Sequence, residues 1–257
     1  MIHVMKLQEQ YFNYIKLGTK EYEIRLNDEK RRNIKVGDFL EFQKEPLLED
    51  KMILKVKDLI YYDNFSDLLN DIDNYYLADK DISKNELLND LEKFYPIAKQ
   101  NKYGVVAIKL DKSNIVNCTS IKNIDTNNSL FNELRNSYDN FDTWLNKMIL
   151  NKVDVFYTEG KNKITSILML KINETDSQQF DFEGNIIKIR TLIVNDKNRG
   201  IGSLYLELVD QIAMNNNIDY IYLTVNDNNN ELINFIKKHD YQEYKKINNE
   251  VVYYKKQ

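Results

Sequence analysis

The sequence predicts an α+β protein of two domains, a small β-barrel with helical insertions followed by a mixed α/β domain. Three observations predict it. The chain has 257 residues, more than a single hydrophobic core ordinarily organises. Its first half mixes short strand patterns with helical ones and closes on a strand. After Asp111 the polar run DKSN reads as a linker into a different order of elements, which sets domains at 1–112 and 113–257. With 42% hydrophobic and 12% aromatic residues, the chain carries enough apolar surface for folded cores.

In the first half, LQEQYFNYIKL (7–17) has helical spacing, and Gly18 falls where a left-handed cap would end the helix. KEYEIRL (20–26) alternates, with Tyr22, Ile24 and Leu26 on one face and Glu21, Glu23 and Arg25 on the other, the period of a half-buried strand. A charged turn, NDEKRRN, precedes the strands IKVGDFLEF and MILKVKDLIYY, with Gly37-Asp38 as a turn. NFSDLLNDIDNYYL and ELLNDLEKFY return to helical spacing, and KYGVVAIKL from Lys102 closes the barrel.

In the second half, SLFNELRNSY and FDTWLNKMIL read as two helices. VDVFYTEGKNKITSILMLKI reads as a hairpin turning at Glu159-Gly160-Lys161-Asn162, and NIIKIRTLIV as a long strand. The loop VNDKNRGIGS (194–203) then leads into a helix with Leu204, Leu208, Val209 and Ile212 on one face. DYIYLTV is a strand, LINFIKK a helix, and YQEYKKI and EVVYYKK a last pair of strands.

Composition narrows the function classes. One cysteine, Cys118, forms no internal disulfide, and with two histidines it argues against a dedicated zinc site, so no metal is expected. No run approaches the ~18 apolar residues of a membrane span, and MIHVMKLQEQ lacks the layout of a secretion signal, which points to the cytoplasm. The net charge of −4 is shared equally by the two halves, against non-specific coating of nucleic acid. A local basic pocket stays open, and Lys30, Arg31, Arg32 and Lys35 are candidates for it.

The chain has only seven glycines, and two stand one residue apart in VNDKNRGIGS. A strand running through such a loop into a helix gathers free N–H groups and the positive helix end at one point, a geometry that binds phosphate. An ordinary tight turn is the other reading. A dinucleotide fingerprint needs a third glycine where Tyr205 stands, and a nucleoside-triphosphate loop needs Gly-Lys-Ser/Thr; neither is present.

The order of elements from Asn114 onward resembles the GNAT acetyltransferase superfamily, in which the loop reads Arg/Gln-x-x-Gly-x-Gly/Ala. Two registers fit: Lys197 to Gly202 with Lys first, or Arg199-Gly-Ile-Gly in a shorter loop. The resemblance implies that the amides of Arg199, Gly200, Ile201, Gly202 and Ser203 hold the pyrophosphate of acetyl-CoA, and that Leu192, Ile193 and Val194 pair with its pantetheine arm. Asn229 fits an asparagine common after the next strand. Where the family places its tyrosine acid stands Ile236, and Asp240-Tyr241 replaces Gly-Phe. Glu183, Glu174 and Asp176 are candidate bases beside their reading as solvated carboxylates, and Tyr241 is a candidate acid beside its reading as core.

In the first half, Gly18-Thr-Lys-Glu-Tyr-Glu-Ile-Arg25, the turn after it, IKVGDFLEF and KYGVVAIKL resemble ASCH domains, which are PUA-like β-barrels. The motif Gly-x-Lys-x-x-Glu-x-Arg is met at Gly18, Lys20, Glu23 and Arg25. The resemblance implies a cleft that binds RNA or a nucleotide, with Lys20, Glu23 and Arg25 contacting it. On the residues alone, Glu23 and Arg25 are equally an exposed ion pair contributing little. One branch of the family hydrolyses N4-acetylcytidine with a Lys and a Thr three residues later; here Lys20 is kept and Glu23 stands at the Thr position. Three functions therefore stand: an acetyl-CoA-dependent N-acetyltransferase whose ASCH domain binds RNA, a nucleotide or a translation-related substrate, an RNA-associated binding protein without chemistry, and an amidohydrolase acting at Lys20.

Overall fold

A computed structural model describes residues 1–78, 81–137, 139–161, 163–173, 181–197 and 199–257. The protein is α+β and divides into two units, Met1–Asn117 and Cys118–Gln257. Among the described residues no helix is long and apolar enough to cross a membrane.

The first unit contains β1 (Ile2–Leu7), α1 (Glu9–Lys16), β2 (Tyr22–Leu26), β3 (Phe39–Lys44), β4 (Lys51–Tyr62), α2 (Phe65–Asp71), α3 (Lys84–Phe94), α4 (Ile97–Tyr103) and most of β5, which runs from Val105 to Ser120 and ends in the second unit. The strands neighbour one another in the order β1-β3-β4-β5, and β2 pairs antiparallel with β5 from Tyr22 opposite Lys109 to Leu26 opposite Val105. Alternation along β5 divides the apolar interior in two. Val106, Ile108 and Leu110 join α1, β1, β3 and β4 in one cluster, while Val105 and Ala107 join β2, α2 and α3 in another.

The N-terminal strand β1 departs from the expected pattern, in which order begins with a helix at Leu7. It is parallel to β3, Ile2 facing Phe39 and Leu7 facing Lys44, but Val4 on its outer face is exposed, which blurs the alternation. The expected single helix over 64–77 is α2 followed by a 3₁₀ turn, because Asp73 turns its side chain back to accept from the Tyr75 N–H. Pro96 starts α4, a helix the sequence pattern does not announce. The buried Gln100 on α4 accepts from the Phe65 N–H at the start of α2 and donates to the Tyr95 carbonyl at the end of α3. Residues 111–114, expected as a linker, lie inside β5. Their polarity is accommodated on the sheet, where Lys112 Nζ meets Glu21 Oε1 at 2.6 Å and donates to Gly18 O at 2.8 Å.

The second unit contains α5 (Ser129–Ser137), α6 (Phe141–Leu150), β6 (Asp154–Gly160), β7 (Lys163–Ile172), β8 (Ile186–Val194), α7 (Ile201–Asn215), β9 (Tyr220–Asn226), α8 (Asn230–Lys237), β10 (Gln242–Ile247) and β11 (Glu250–Lys256). Its strand order is β6-β7-β8-β9-β11-β10, antiparallel throughout except between β8 and β9. The β6–β7 hairpin forms as expected, with Asn162 of its turn outside the described residues. On one sheet face α5 and α6 bury Phe131, Phe141, Leu145 and Met148 against Val155, Ile167 and Met169. On α7, Leu204, Leu208, Val209 and Ile212 are all buried.

Candidate functional site

In the first unit, β2 carries its charges inward. The sequence leaves Glu23 and Arg25 between an exposed pair and a cleft, and the structure places them in the wall of a cavity of about 850 Å³. Lys20 and Glu23 are each only 3% exposed. Lys20 Nζ donates to Leu77 O at 2.6 Å and lies 3.4 Å from Glu23 Oε2, while Arg25 Nε lies 2.8 Å from Glu23 Oε1. Arg25 also donates to Tyr95 Oη at 2.9 Å and to Lys6 O at 3.2 Å. One carboxylate thus serves two cations, the arrangement by which buried charge is tolerated.

The cations respond differently. Burial pushes the Lys20 ammonium below the ordinary lysine value, with Glu23 pulling the other way. The Glu23 carboxylate raises Arg25 further above its ordinary value. Lys6, Lys20, Arg25, Arg31 and Lys93 line the cavity against Glu23, Glu45 and Asp90, an excess of positive charge that suits an anionic guest. Tyr11, Phe94 and Tyr95 supply rings at the same wall. Of the predicted basic cluster only Arg31 reaches this lining; Arg32 donates to Asn27 O and is exposed. Sequence reasoning misses Tyr95 and the wall from α3, since Tyr95 is 70 residues from Arg25 and no local pattern links them.

In the second unit, β8 and β9 pair only from Ile186 opposite Tyr220 to Lys188 opposite Tyr222. Beyond that β8 stays bonded to β7 up to Val194, and β9 to β11 up to Asn226. Two parallel strands therefore part toward their carboxyl ends, where sheets of this kind hold ligands. Leu192, Ile193 and Val194 lie on the parted stretch of β8, each partly exposed. Opposite β7, Ile189 faces Leu170 and Thr191 faces Met169, so Arg190 is the extra residue of a β-bulge.

Past β8 the chain turns through Gly200, at φ +72, into α7. No side chain caps α7, and its first bond runs from Leu204 N to Gly200 O, so the amides of Ile201, Gly202 and Ser203 have no intrahelical acceptor. The two glycines are required for different reasons. Gly200 needs positive φ, whereas a Cβ on Gly202 would meet Phe235 Cζ at 2.9 Å. Ser203 Oγ lies 3.1 Å from His239 Nε2. Lys197 contacts both oxygens of Glu231 at 2.8 Å, and Arg199 meets Asp196 at 2.7 Å. Beneath the loop runs a buried hydroxyl chain in which Tyr205 Oη meets Ser166 Oγ at 2.7 Å and Ser166 meets Thr158 at 2.6 Å.

Residues 5–114 match the family model described as ASCH domain. This segment is an ASCH domain. Among solved structures, hypothetical protein PH0355 is 37% identical over 43% of this chain and 98% of its own, with a TM-score of 0.39. Protein PF0455 from Pyrococcus furiosus is 36% identical over 43% of this chain and 96% of its own, TM-score 0.36. The PaiA N-acetyltransferase from Thermoplasma acidophilum, in complex with coenzyme A, is 15% identical over 46% of this chain and 74% of its own, TM-score 0.37. None of the curated proteins matches the chain.

Lys20, Glu23 and Arg25 come together in the ASCH domain's cavity. In the second unit Leu192, Ile193 and Val194 lead directly into the loop of Arg199, Gly200, Ile201, Gly202 and Ser203; Asn198 lies outside the described residues. Asn229 acts as the N-cap of α8, its side chain accepting from Leu232 N at 3.1 Å. The catalytic candidates are placed elsewhere. Glu183 is exposed ahead of the paired end of β8, a whole strand of roughly 30 Å from the loop. Tyr241 is 3% exposed, its hydroxyl has no hydrogen-bond partner among the described residues, and burial drives its pKa far above the ordinary tyrosine value. That is the position of a core side chain, and Ile236 nearby is fully buried. Glu174 and Asp176 lie outside the described residues.

Proposed function

We propose that the protein is an acetyl-CoA-dependent N-acetyltransferase, with its ASCH domain binding an anionic ligand such as a nucleotide or RNA. The observation that carries the reading is the parting of β8 from β9 above a helix whose first amides are unfilled. The amides of Arg199 to Ser203 take the pyrophosphate, with the positive end of α7 behind them. The free edge of β8 at Leu192 to Val194 pairs with the pantetheine amides as an added strand would. Lys197 is held by an exposed carboxylate, Glu231, and Arg199 by the partly exposed Asp196, both at little energetic advantage, so a phosphate displaces those partners readily.

In the transfer step a neutral amine attacks the thioester carbonyl carbon, the C–S bond breaks, the coenzyme leaves as thiolate and the amine proton passes to water. Alignment in the parted strands and backbone donors at the carbonyl supply the acceleration. Neither Glu183 nor Tyr241 has a part in this scheme. Titration calorimetry with acetyl-CoA tests it: saturable binding that Gly200→Asp and Gly202→Asp abolish is expected, and no binding at high micromolar concentration removes the proposal.

One observation favours a second reading, a binding protein without turnover: a buried Ile236 stands where the resemblance expects the tyrosine acid. Bound acetyl-CoA that is never consumed in the presence of amines distinguishes it. For the ASCH domain, AMP titrated against the wild type and Arg25→Ala reads the proposed nucleotide contact.

A further inference from the structure

The chain has six arginines. Arg25, Arg31, Arg135 and Arg199 each face a carboxylate, and Arg32 is exposed to water. Arg190 is different. It is half-buried, and its one side-chain hydrogen bond among the described residues runs from Nη1 to the Met148 sulfur on α6, at 2.9 Å. A thioether is a weak acceptor, and the guanidinium has five N–H donors in a planar fork. A cation taken partly out of water without a counter-charge is unfavourable unless a ligand supplies one.

Its location is as specific as its lack of a carboxylate partner among the described residues. Arg190 is the extra residue of the bulge in β8, two residues beyond the last pair with β9, at the apex of the parting. From the glycine loop at the end of β8 this apex is four residues back, roughly 13 Å along the strand. An extended arm anchored by its phosphates at the loop therefore brings its far end to the bulge. The bulge also sends Arg190 toward α6, on the face where Ile193 packs, whereas Ser166 and Tyr205 meet on the face of α7.

We infer that Arg190 recognises the acceptor of the transfer, and that this acceptor is an amine that also carries a carboxylate, as free amino acids do. The planar fork matches a carboxylate bidentately, and the apolar surroundings of Met148 and Trp144 strengthen that pairing while suiting a compact guest. The inference rests on the acetyltransferase reading of the cleft, because only there is an acceptor needed.

The test uses the full chain and two readouts. The Arg190 Nε–H resonance is followed while L-amino acids, their carboxamides and O-phosphoethanolamine are titrated separately. A shift with amino acids and none with carboxamides is expected. In parallel, acetyl transfer to the same amines is measured for the wild type, Arg190→Lys and Arg190→Gln. The preference for acid over amide in kcat/KM is expected to fall about 30-fold in Arg190→Gln and partly recover in Arg190→Lys. Acetyl-CoA affinity is expected to stay unchanged in both variants. Equal response to acid and amide overturns the inference, as does a preference for the phosphate-bearing amine. Loss of acetyl-CoA affinity and thermal stability in Arg190→Gln, with acid preference intact, also overturns it, because that pattern is a packing role. Failure of the wild type to bind acetyl-CoA would fell the transferase reading alone, since the resonance titration still decides whether Arg190 takes a carboxylate.

Discussion

Lys20 Nζ lies 3.4 Å from Glu23 Oε2, with both side chains almost wholly buried in the cavity wall of the ASCH domain. Removing the carboxylate leaves two cations facing each other, so Glu23→Gln is expected to destabilise the first unit by about 3 kcal/mol. Lys20→Met keeps the Glu23–Arg25 pair and is expected to cost less. Urea denaturation of both variants checks the order; a smaller loss in Glu23→Gln than in Lys20→Met would contradict it.

The same pair sets a pH dependence. Folded Lys20 releases its proton at lower pH than an unfolded lysine does, because burial outweighs Glu23. In the window below the ordinary lysine value of about 10.4 the unfolded chain holds more protons, so the Lys20 contribution to stability rises with pH there. The wild type is expected to gain stability relative to Lys20→Met as pH rises toward the ordinary lysine value, measured by denaturant midpoints. Parallel curves would refute the assignment.

Gly200 and Gly202 are expected to fail differently. Gly200→Ala forces a side chain into a left-handed conformation with open space around it, a cost of roughly 1 kcal/mol. Gly202→Ala presses on the Phe235 ring and shifts the start of α7. Acetyl-CoA affinity is expected to fall more in Gly202→Ala than in Gly200→Ala, and calorimetry on the two variants reads the difference.

In the buried hydroxyl chain, Ser166 stands between Tyr205 and Thr158. Ser166→Ala takes the nearest hydroxyl from a buried phenol that then has Thr158 alone and is expected to cost about 1.5 kcal/mol, whereas Tyr205→Phe leaves Ser166 bonded to Thr158 and costs about 1 kcal/mol. Thermal melts of the two variants compare them.

Tyr241→Phe removes a buried hydroxyl that has no partner among the described residues. Stability is expected to hold or rise slightly, with acetyl transfer unchanged. A large drop in kcat at constant KM would restore Tyr241 as the acid.

Much of this is legible in the sequence, and the limits have physical causes. Glu23 and Arg25 stand two apart on β2, so the strand's alternation sets them on one face, whereas Lys20 lies ahead of β2 and its place in the same wall is not given by that alternation. The glycine loop is legible because it joins a strand to a helix over a short span. Tyr95 is not, since only the return of α3 brings it to Arg25. The bulge at Arg190 is hidden for another reason: IIKIRTLIV is apolar on both faces, so an extra residue leaves no break in the pattern. Glu183 reads as close to the cleft because it precedes β8, but the strands part at the other end.

Gln100 joins the start of α2 to the carbonyl of Tyr95, and the phenol of that same Tyr95 accepts from Arg25. Guest recognition and the anchoring of the helices at residues 65–103 therefore meet in one side chain. A molecule that clamps Arg25 against Tyr95 also slows the fraying of those helices, so their amide hydrogen exchange should report cavity occupancy from a distance.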